Sequence, residues 1–222
     1  MDKALLSWSG GKDSALSLFT MIRSEKRQFE VVALLTTLAE GYERISMHGV
    51  RKELLQSQSR SLQIPISEVW IPKNATNDVY EDRMATAIHS YVNRNVSSIV
   101  FGDLFLRDIR EYRENFLRPL GVKCIFPIWG RDTTALANFF IDSGFKAIIC
   151  CVDPKLLPKE YCGREFDKSF LSEIPDTVDP CGENEEFHTF VYDGPIFKEK
   201  IGVKVAGVVS RDGFYFADIL PS

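Results

Sequence analysis

Short apolar runs alternate with helical patterns through the first two thirds of the chain. The runs Ala4–Trp8, Val31–Thr36, Val69–Ile71, Ser98–Phe101, Cys124–Phe126 and Ala147–Cys151 carry little polar alternation. Strands of that texture belong in a sheet covered on both faces. Between them, Ala15, Leu18, Phe19 and Ile22 recur at helical spacing, as do Val50, Leu54, Leu55 and Leu62. Met84, Ile88, Tyr91 and Val92 form the next such group, then Ile109, Tyr112, Phe116 and Leu120, then Leu136, Phe139 and Phe140. The order is βαβα, which predicts an α/β fold built on a doubly wound parallel sheet.

After about Asp153 the texture changes. Pro154, Pro158, Pro175 and Pro180 punctuate the chain, and the strand-like pieces Phe187–Tyr192, Val203–Ser210 and Phe214–Ile219 follow. The last two flank Arg211-Asp212-Gly213 and read as a hairpin. A boundary falls between Pro127 and Pro154. Placed near its start, it divides the chain into residues 1–130 and a smaller C-terminal α+β part, 131–222.

Composition narrows the class. With 45% hydrophobic and 26% charged residues, the 222-residue chain has the makeup of a soluble globular protein. A net charge of −4 argues against a broad nucleic-acid surface. The apolar stretch near Met1 is too short for a signal peptide, and no apolar run reaches membrane-spanning length. Five cysteines (Cys124, Cys150, Cys151, Cys162, Cys181) form no CxxC pair, so reduced thiols in the cytoplasm are expected.

The strongest local signal is Ser9-Gly10-Gly11-Lys12-Asp13-Ser14, between the first strand and the first helix. Two glycines let the backbone turn sharply and approach an anion with no Cβ in the way. Amides at the helix start lack intrahelical partners, and the dipole favours negative charge there. The hydroxyls of Ser9 and Ser14 add donors, and Lys12 adds a positive charge. It is not a Walker A loop: Leu6 stands where that motif needs glycine, and Asp13 where it needs Ser or Thr. An acidic residue in a phosphate loop points to a bridging Mg²⁺, with Asp13 as its ligand. The plainer reading is a Gly-Gly turn with Asp13-Ser14 capping the helix. The strand–loop–helix setting favours the anion site.

In an open parallel sheet the ligand lies outside the carboxyl ends of the strands. Thr36 and Thr37, then Met47-His48-Gly49-Val50-Arg51, should reach that crevice, as should Phe101-Gly102-Asp103 and Pro127-Ile128-Trp129-Gly130-Arg131. Asp103 is a candidate second carboxylate beside the metal, against a simple strand-ending turn. His48 reads more readily as a capping or packing residue than as a catalyst. Arg107, Arg110, Arg113 and Arg118 mix with Asp108, Glu111 and Glu114 in a pattern usual for a solvated helix face. Asp179-Pro180-Cys181-Gly182-Glu183-Asn184-Glu185-Glu186-Phe187-His188-Thr189-Phe190 gathers carboxylates just before a strand. Such a cluster could recognise a cationic acceptor or orient an amine nucleophile.

The hexapeptide resembles the PP-loop, SGGxDS, of the ATP pyrophosphatases. Together with MHGVR, FGD, PIWGR and CGENEEFHTFVYDGPIF, it makes nearly the whole chain similar to the diphthine–ammonia ligase family. That resemblance implies an adenine nucleotide alpha hydrolase-like, Rossmann-like ATP-binding domain (1–130) and a C-terminal substrate domain. It implies ATP and Mg²⁺ at Ser9, Gly10, Gly11, Lys12, Asp13 and Ser14, completed by Thr36, Met47, Gly102 and Asp103. Asp13, Asp103 and Lys12 take the catalytic roles, and Gly182, Glu183, Glu186 and His188 face the substrate. It further implies cleavage of ATP to AMP and pyrophosphate, with an adenylylated carboxyl acceptor passed to ammonia.

One departure stands out. The archaeal and eukaryotic ligases read GEGGEYETLV, whereas Phe187-His188-Thr189 stands here in place of Tyr-Glu-Thr. This is similar to the bacterial branch, whose hosts do not make diphthamide. A small-molecule or protein-borne carboxyl acceptor of different size or charge from diphthine is therefore expected. A tRNA-modifying PP-loop enzyme and a non-catalytic ATP- or AMP-binding module are the alternatives, and a homodimer stays open.

Overall fold

The computed structural model describes residues 1–25, 28–41, 43–45 and 48–222. The strands are β1 (Asp2–Ser7), β2 (Phe29–Ala39), β3 (Arg44–Ile45), β4 (Ile66–Ile71), β5 (Val96–Val100), β6 (Lys123–Ile125), β7 (Lys146–Val152), β8 (Phe187–Asp193), β9 (Val203–Arg211) and β10 (Phe214–Pro221). The helices are α1 (Lys12–Arg23), α2 (Lys52–Leu62), α3 (Asn77–Val92), α4 (Arg107–Leu117), α5 (Thr133–Asp142) and α6 (Lys168–Glu173).

Five strands run parallel in the order β4-β2-β1-β5-β6, and the short β3 lies antiparallel to the end of β2. The chain starts in the middle, winds outward through β2 and β4, then returns past β1 to β5. The point of reversal lies between β1 and β5, where a crevice opens at the carboxyl ends of the strands. Successive residues of β1 face opposite ways. Leu6 packs in a cluster with Leu16 of α1 and Leu54 of α2. Leu5 packs in another with Ile88 of α3 and Leu117 of α4. Helices on both faces explain why the strands read as continuous apolar runs.

Ala147–Cys151 belongs elsewhere than its pattern suggests. The alternation groups it with the parallel strands, but β7 pairs antiparallel with β8 and β10 in a second sheet of order β8-β7-β10-β9. An apolar run reports burial on both faces and is silent about pairing direction. Residues 147–152 are indeed all buried. The hairpin expected at Arg211-Asp212-Gly213 is present as the β9–β10 pair.

The second sheet shares its core with the first. Ile149, Phe187, Phe190 and Phe216 belong to the same apolar cluster as Leu6, Leu16 and Leu54. This packing lays β8 against the start of α1 and brings the C-terminal segment to the crevice.

Candidate active site

A cleft of about 300 Å³ opens beside the carboxyl ends of β1 and β5. Its near wall is the Ser9–Ser14 loop, and its far wall comes from Gly102-Asp103 and the segment 181–189. Gly10 takes a φ of +77°, which glycine adopts freely, and a Cβ there would stand 2.8 Å from Oε1 of Gln58. Gly11 caps α1 and brings no side-chain acceptor to the helix end. Ser9 Oγ accepts from the Gly11 amide at 3.3 Å, and Ser14 Oγ donates to the Gly11 carbonyl at 2.9 Å.

The C-terminal sheet secures this loop. Val191 donates its amide to the Gly10 carbonyl at 2.9 Å. Thr189 Oγ1 accepts from the Lys12 amide at 3.0 Å. Gln58, wholly buried on α2, donates to the carbonyls of Gly10 (3.0 Å) and Val191 (2.7 Å) while accepting from Trp8 Nε1 (2.8 Å). Sequence reasoning missed both Thr189 and Gln58. A signal for Gln58 existed: it falls on the same helical face as Leu54, Leu55 and Leu62, and a polar side chain there must find internal partners.

Lys12 is only 3% exposed. Its ammonium donates to Asp13 Oδ2 at 2.9 Å and to the Cys181 carbonyl, and it stands 5.6 Å from the centre of the Phe187 ring. Burial works against its charge, and Asp13 outweighs that, holding the ammonium above its ordinary pKa. Asp13 keeps 28% of its side chain exposed. Its second oxygen, Oδ1, is buried and has no hydrogen-bond partner among the described residues. Burial pushes this carboxyl up, and Lys12 draws it back down only in part.

Gly102 lies against the loop. A Cβ there would stand 2.9 Å from the Asp13 carbonyl carbon and 3.1 Å from the Ser14 nitrogen. Asp103 lines the cleft but is already engaged. Arg113 grips both its oxygens, at 2.7 and 3.0 Å, and lies over the Phe101 ring. The arginine-rich stretch is therefore not a solvated face throughout: at Arg113 it reaches the cleft.

Glu183 accepts from the Leu104 amide at 2.8 Å, which ties the C-terminal segment to the end of β5. Burial lifts its carboxyl to about 7, against the pull of that amide. Gly182 lines the cleft at a φ of +67°. Glu186 does not line it. It is 2% exposed and accepts from the amides of Asp179 (2.9 Å) and Asn184 (2.8 Å) and from Asn184 Nδ2 (3.0 Å). Its position is that of an internal anchor for the 179–186 turn. His188 stacks on His48 with ring centres 4.4 Å apart, and both line the cleft. Its Nε2 is buried without a partner among the described residues, and burial with nearby Lys12 lowers its pKa to about 4. The imidazole is neutral at physiological pH. Thr36 is buried away from the cleft lining, and Met47 lies outside the described residues.

A doubly wound sheet carrying SGGKDS at its first strand–helix turn defines an α/β protein of the PP-loop class. Residues 2–124 match the diphthamide synthase N-terminal domain, and residues 132–217 match the diphthamide synthase C-terminal domain. The chain belongs to the diphthamide synthase family of ligases. A Danio rerio protein named diphthine–ammonia ligase is 26% identical over 95% of this chain and 90% of its own length. One of the same name from Schizosaccharomyces pombe is 26% identical over 87% of this chain but only 34% of its own length. The Bos taurus protein so named is 32% identical over 51% of this chain and 45% of its own. The chain thus spans less than half of the fission-yeast and bovine relatives. No helix among the described residues is long and apolar enough to cross a membrane.

Proposed function

We propose that this chain activates a carboxyl acceptor with ATP at the Ser9–Ser14 loop and passes the acyl group to ammonia. The observation that carries the reading is the buried Oδ1 of Asp13, without a hydrogen-bond partner among the described residues, beside Lys12 and opposite Glu183 in one cleft. Orphaned buried oxygens are rare and call for a ligand. A Mg²⁺ ion suits such a carboxylate oxygen, a hard donor on the wall of the cleft. Mg²⁺ is commonly held by one or two carboxylates plus substrate phosphates. It would supply charge neutralisation at the phosphates.

This chain's own residues account for the remaining requirements. The remaining amides at the start of α1 would stabilise the β and γ phosphates as a leaving unit, those of Gly11 and Lys12 being held by Ser9 and Thr189. The acceptor carboxylate attacks the α-phosphorus, forming the acyl–O–P bond as the bond to pyrophosphate breaks. Ammonia then adds to the acyl carbon, AMP departs with its bonding electrons, and a proton is released. Glu183, poised near neutrality, is placed to take that proton. Asp103, held by Arg113, shapes the far wall and keeps the guanidinium at the cleft.

The relatives are named for diphthine. His188 puts a neutral imidazole where the ligase pattern carries a carboxylate, which removes a charge that would favour a cationic acceptor. A smaller or differently charged carboxylate fits better, handled in a reducing, cytoplasmic setting that suits five free thiols. Chromatography of reactions with α-labelled ATP tests the chemistry: labelled AMP is expected, and labelled ADP as the main product would overturn it. Incubation with ATP, ammonium and diphthine-bearing elongation factor tests the acceptor. Poor amidation is expected, and efficient amidation would return diphthine as the substrate.

A further inference from the structure

A second cavity, of about 400 Å³, opens at the carboxyl ends of β2 and β4 and shares no lining residue with the cleft. Its floor is Ala39, Ile45 and Ile71, and among the described residues its rim carries Arg44, Lys73, Arg211 and Asp212, with Arg211 Nε 3.7 Å from the Asp212 carboxylate. The rings of Phe214 and Phe216 wall one side. The guanidinium of Arg211 lies 4.5 Å from the centre of the Phe216 ring. Arg44 is held in place by Asp218 (2.9 Å) and by the Gly49 carbonyl (2.7 Å). Cations over aromatic walls suit a ligand that is flat, apolar and anionic at one end.

The cavity is joined to the cleft by one turn. Gly49, at a φ of +65°, lies so close to Phe216 that a Cβ there would stand 2.5 Å from its ring. The preceding residue, His48, stacks on His188 in the cleft. A ligand drawing on Arg44 or pressing on Phe216 therefore bears on the turn that carries His48.

From this we infer that the β2–β4 cavity is a second binding site, for a small aromatic anion such as an aryl phosphate, whose occupancy repositions the His48 turn. Recognition divides in two: Arg211 and Lys73 take the anion, while the half-buried Phe214 takes the ring, because Phe216 is already covered by Gly49 and Arg211. The site requires neither ATP nor the acceptor, so its test is independent of the ligase reading.

The test is titration of the full chain with phenyl phosphate, followed by amide chemical shifts and by calorimetry. Saturable shifts at Arg211, Phe216 and Gly49 are expected. Arg211→Gln and Lys73→Gln should each weaken binding about tenfold or more, the loss expected for one charge-assisted contact. Asp13→Asn should leave it unchanged. Cyclohexyl phosphate should bind more weakly, because its ring offers no π face to the cation or to the aromatic wall. Shifts confined to residues 9–14, no saturable binding at millimolar ligand, or equal binding by both Gln variants would overturn the site. Equal affinity for the two phosphates would overturn the aromatic preference. Binding without movement at Gly49 and His48 would overturn the coupling.

Discussion

Val191 donates its backbone amide to the carbonyl of Gly10 across 2.9 Å, so the second sheet is fastened to the phosphate loop through main chain. Two residues earlier the Thr189 hydroxyl adds a side-chain contact, accepting from the Lys12 amide. Val191 makes its contact with a main-chain N–H at the outer edge of β8, the edge strand of its sheet, and Thr189 makes its own through the side-chain hydroxyl. The C-terminal part therefore completes the cleft at the Ser9–Ser14 loop, beyond lying near it.

Gln58 stands behind that junction, and its loss should be felt as instability. Gln58→Ala strands the Trp8 indole N–H and the Val191 carbonyl, each at roughly 1–3 kcal/mol, and leaves a cavity besides. A fall in melting temperature of about 10 °C is expected for a chain of this size. Calorimetry checks it, and an unchanged melt would mean that these hydrogen bonds do not anchor the loop.

Gly102 should tolerate no side chain. Gly102→Ala drives a methyl against the Asp13 main chain, which cannot yield as a flexible side chain can. Overpacking of this kind costs roughly 1–3 kcal/mol, and here it displaces the phosphate loop itself. ATP affinity measured by calorimetry should drop about tenfold or more. Gly207→Ala is the control, since a Cβ there meets nothing within 4 Å, and it should bind ATP like the wild type.

Asp13→Asn keeps the shape of the side chain and removes its charge. Turnover supported by Mg²⁺ should fall by roughly two to three orders of magnitude, the usual size of a lost preorganised electrostatic contact. The circular dichroism spectrum should remain native, because Lys12 still donates to the Cys181 carbonyl. Full activity in a folded Asn variant would remove Asp13 from the chemistry.

Glu183 and Glu186 should separate cleanly. Glu183 titrates near 7 when folded, against an ordinary 4.5, so the folded chain holds the extra proton between those values. Stability from this group is full below pH 4.5 and lost as pH rises through about 7. Glu183→Gln mimics the neutral acid, so its melting temperature relative to wild type should climb over that window and level off above it. Glu186→Gln should instead lower stability throughout, because a carboxylate accepting three hydrogen bonds is replaced by an amide with one acceptor oxygen. A pH-independent difference for Glu183→Gln would show that its carboxyl is not perturbed.

Local features were legible where the chemistry is local. The sharp turn at Ser9–Ser14 was legible because glycine freedom, a helix start and the Lys12-Asp13 pair sit within six consecutive residues. The apolar runs and 3.6-residue periods likewise announce strands and helices wound on both faces of a sheet. Other assignments depended on partners distant in sequence. Gln58 joins residues 48 and 133 positions distant, Thr189 meets Lys12 across 177 positions, and Glu183 meets Leu104 across 79. The apolar run of β7 could have joined either sheet, since burial records the environment of a strand and not its neighbour. The amino-acid sequence alone determined the strand–loop–helix turn at Ser9–Ser14 and the α/β class. Only tertiary packing decided which carboxylates face the cleft, because a side chain's partner is set by the fold that brings distant segments together.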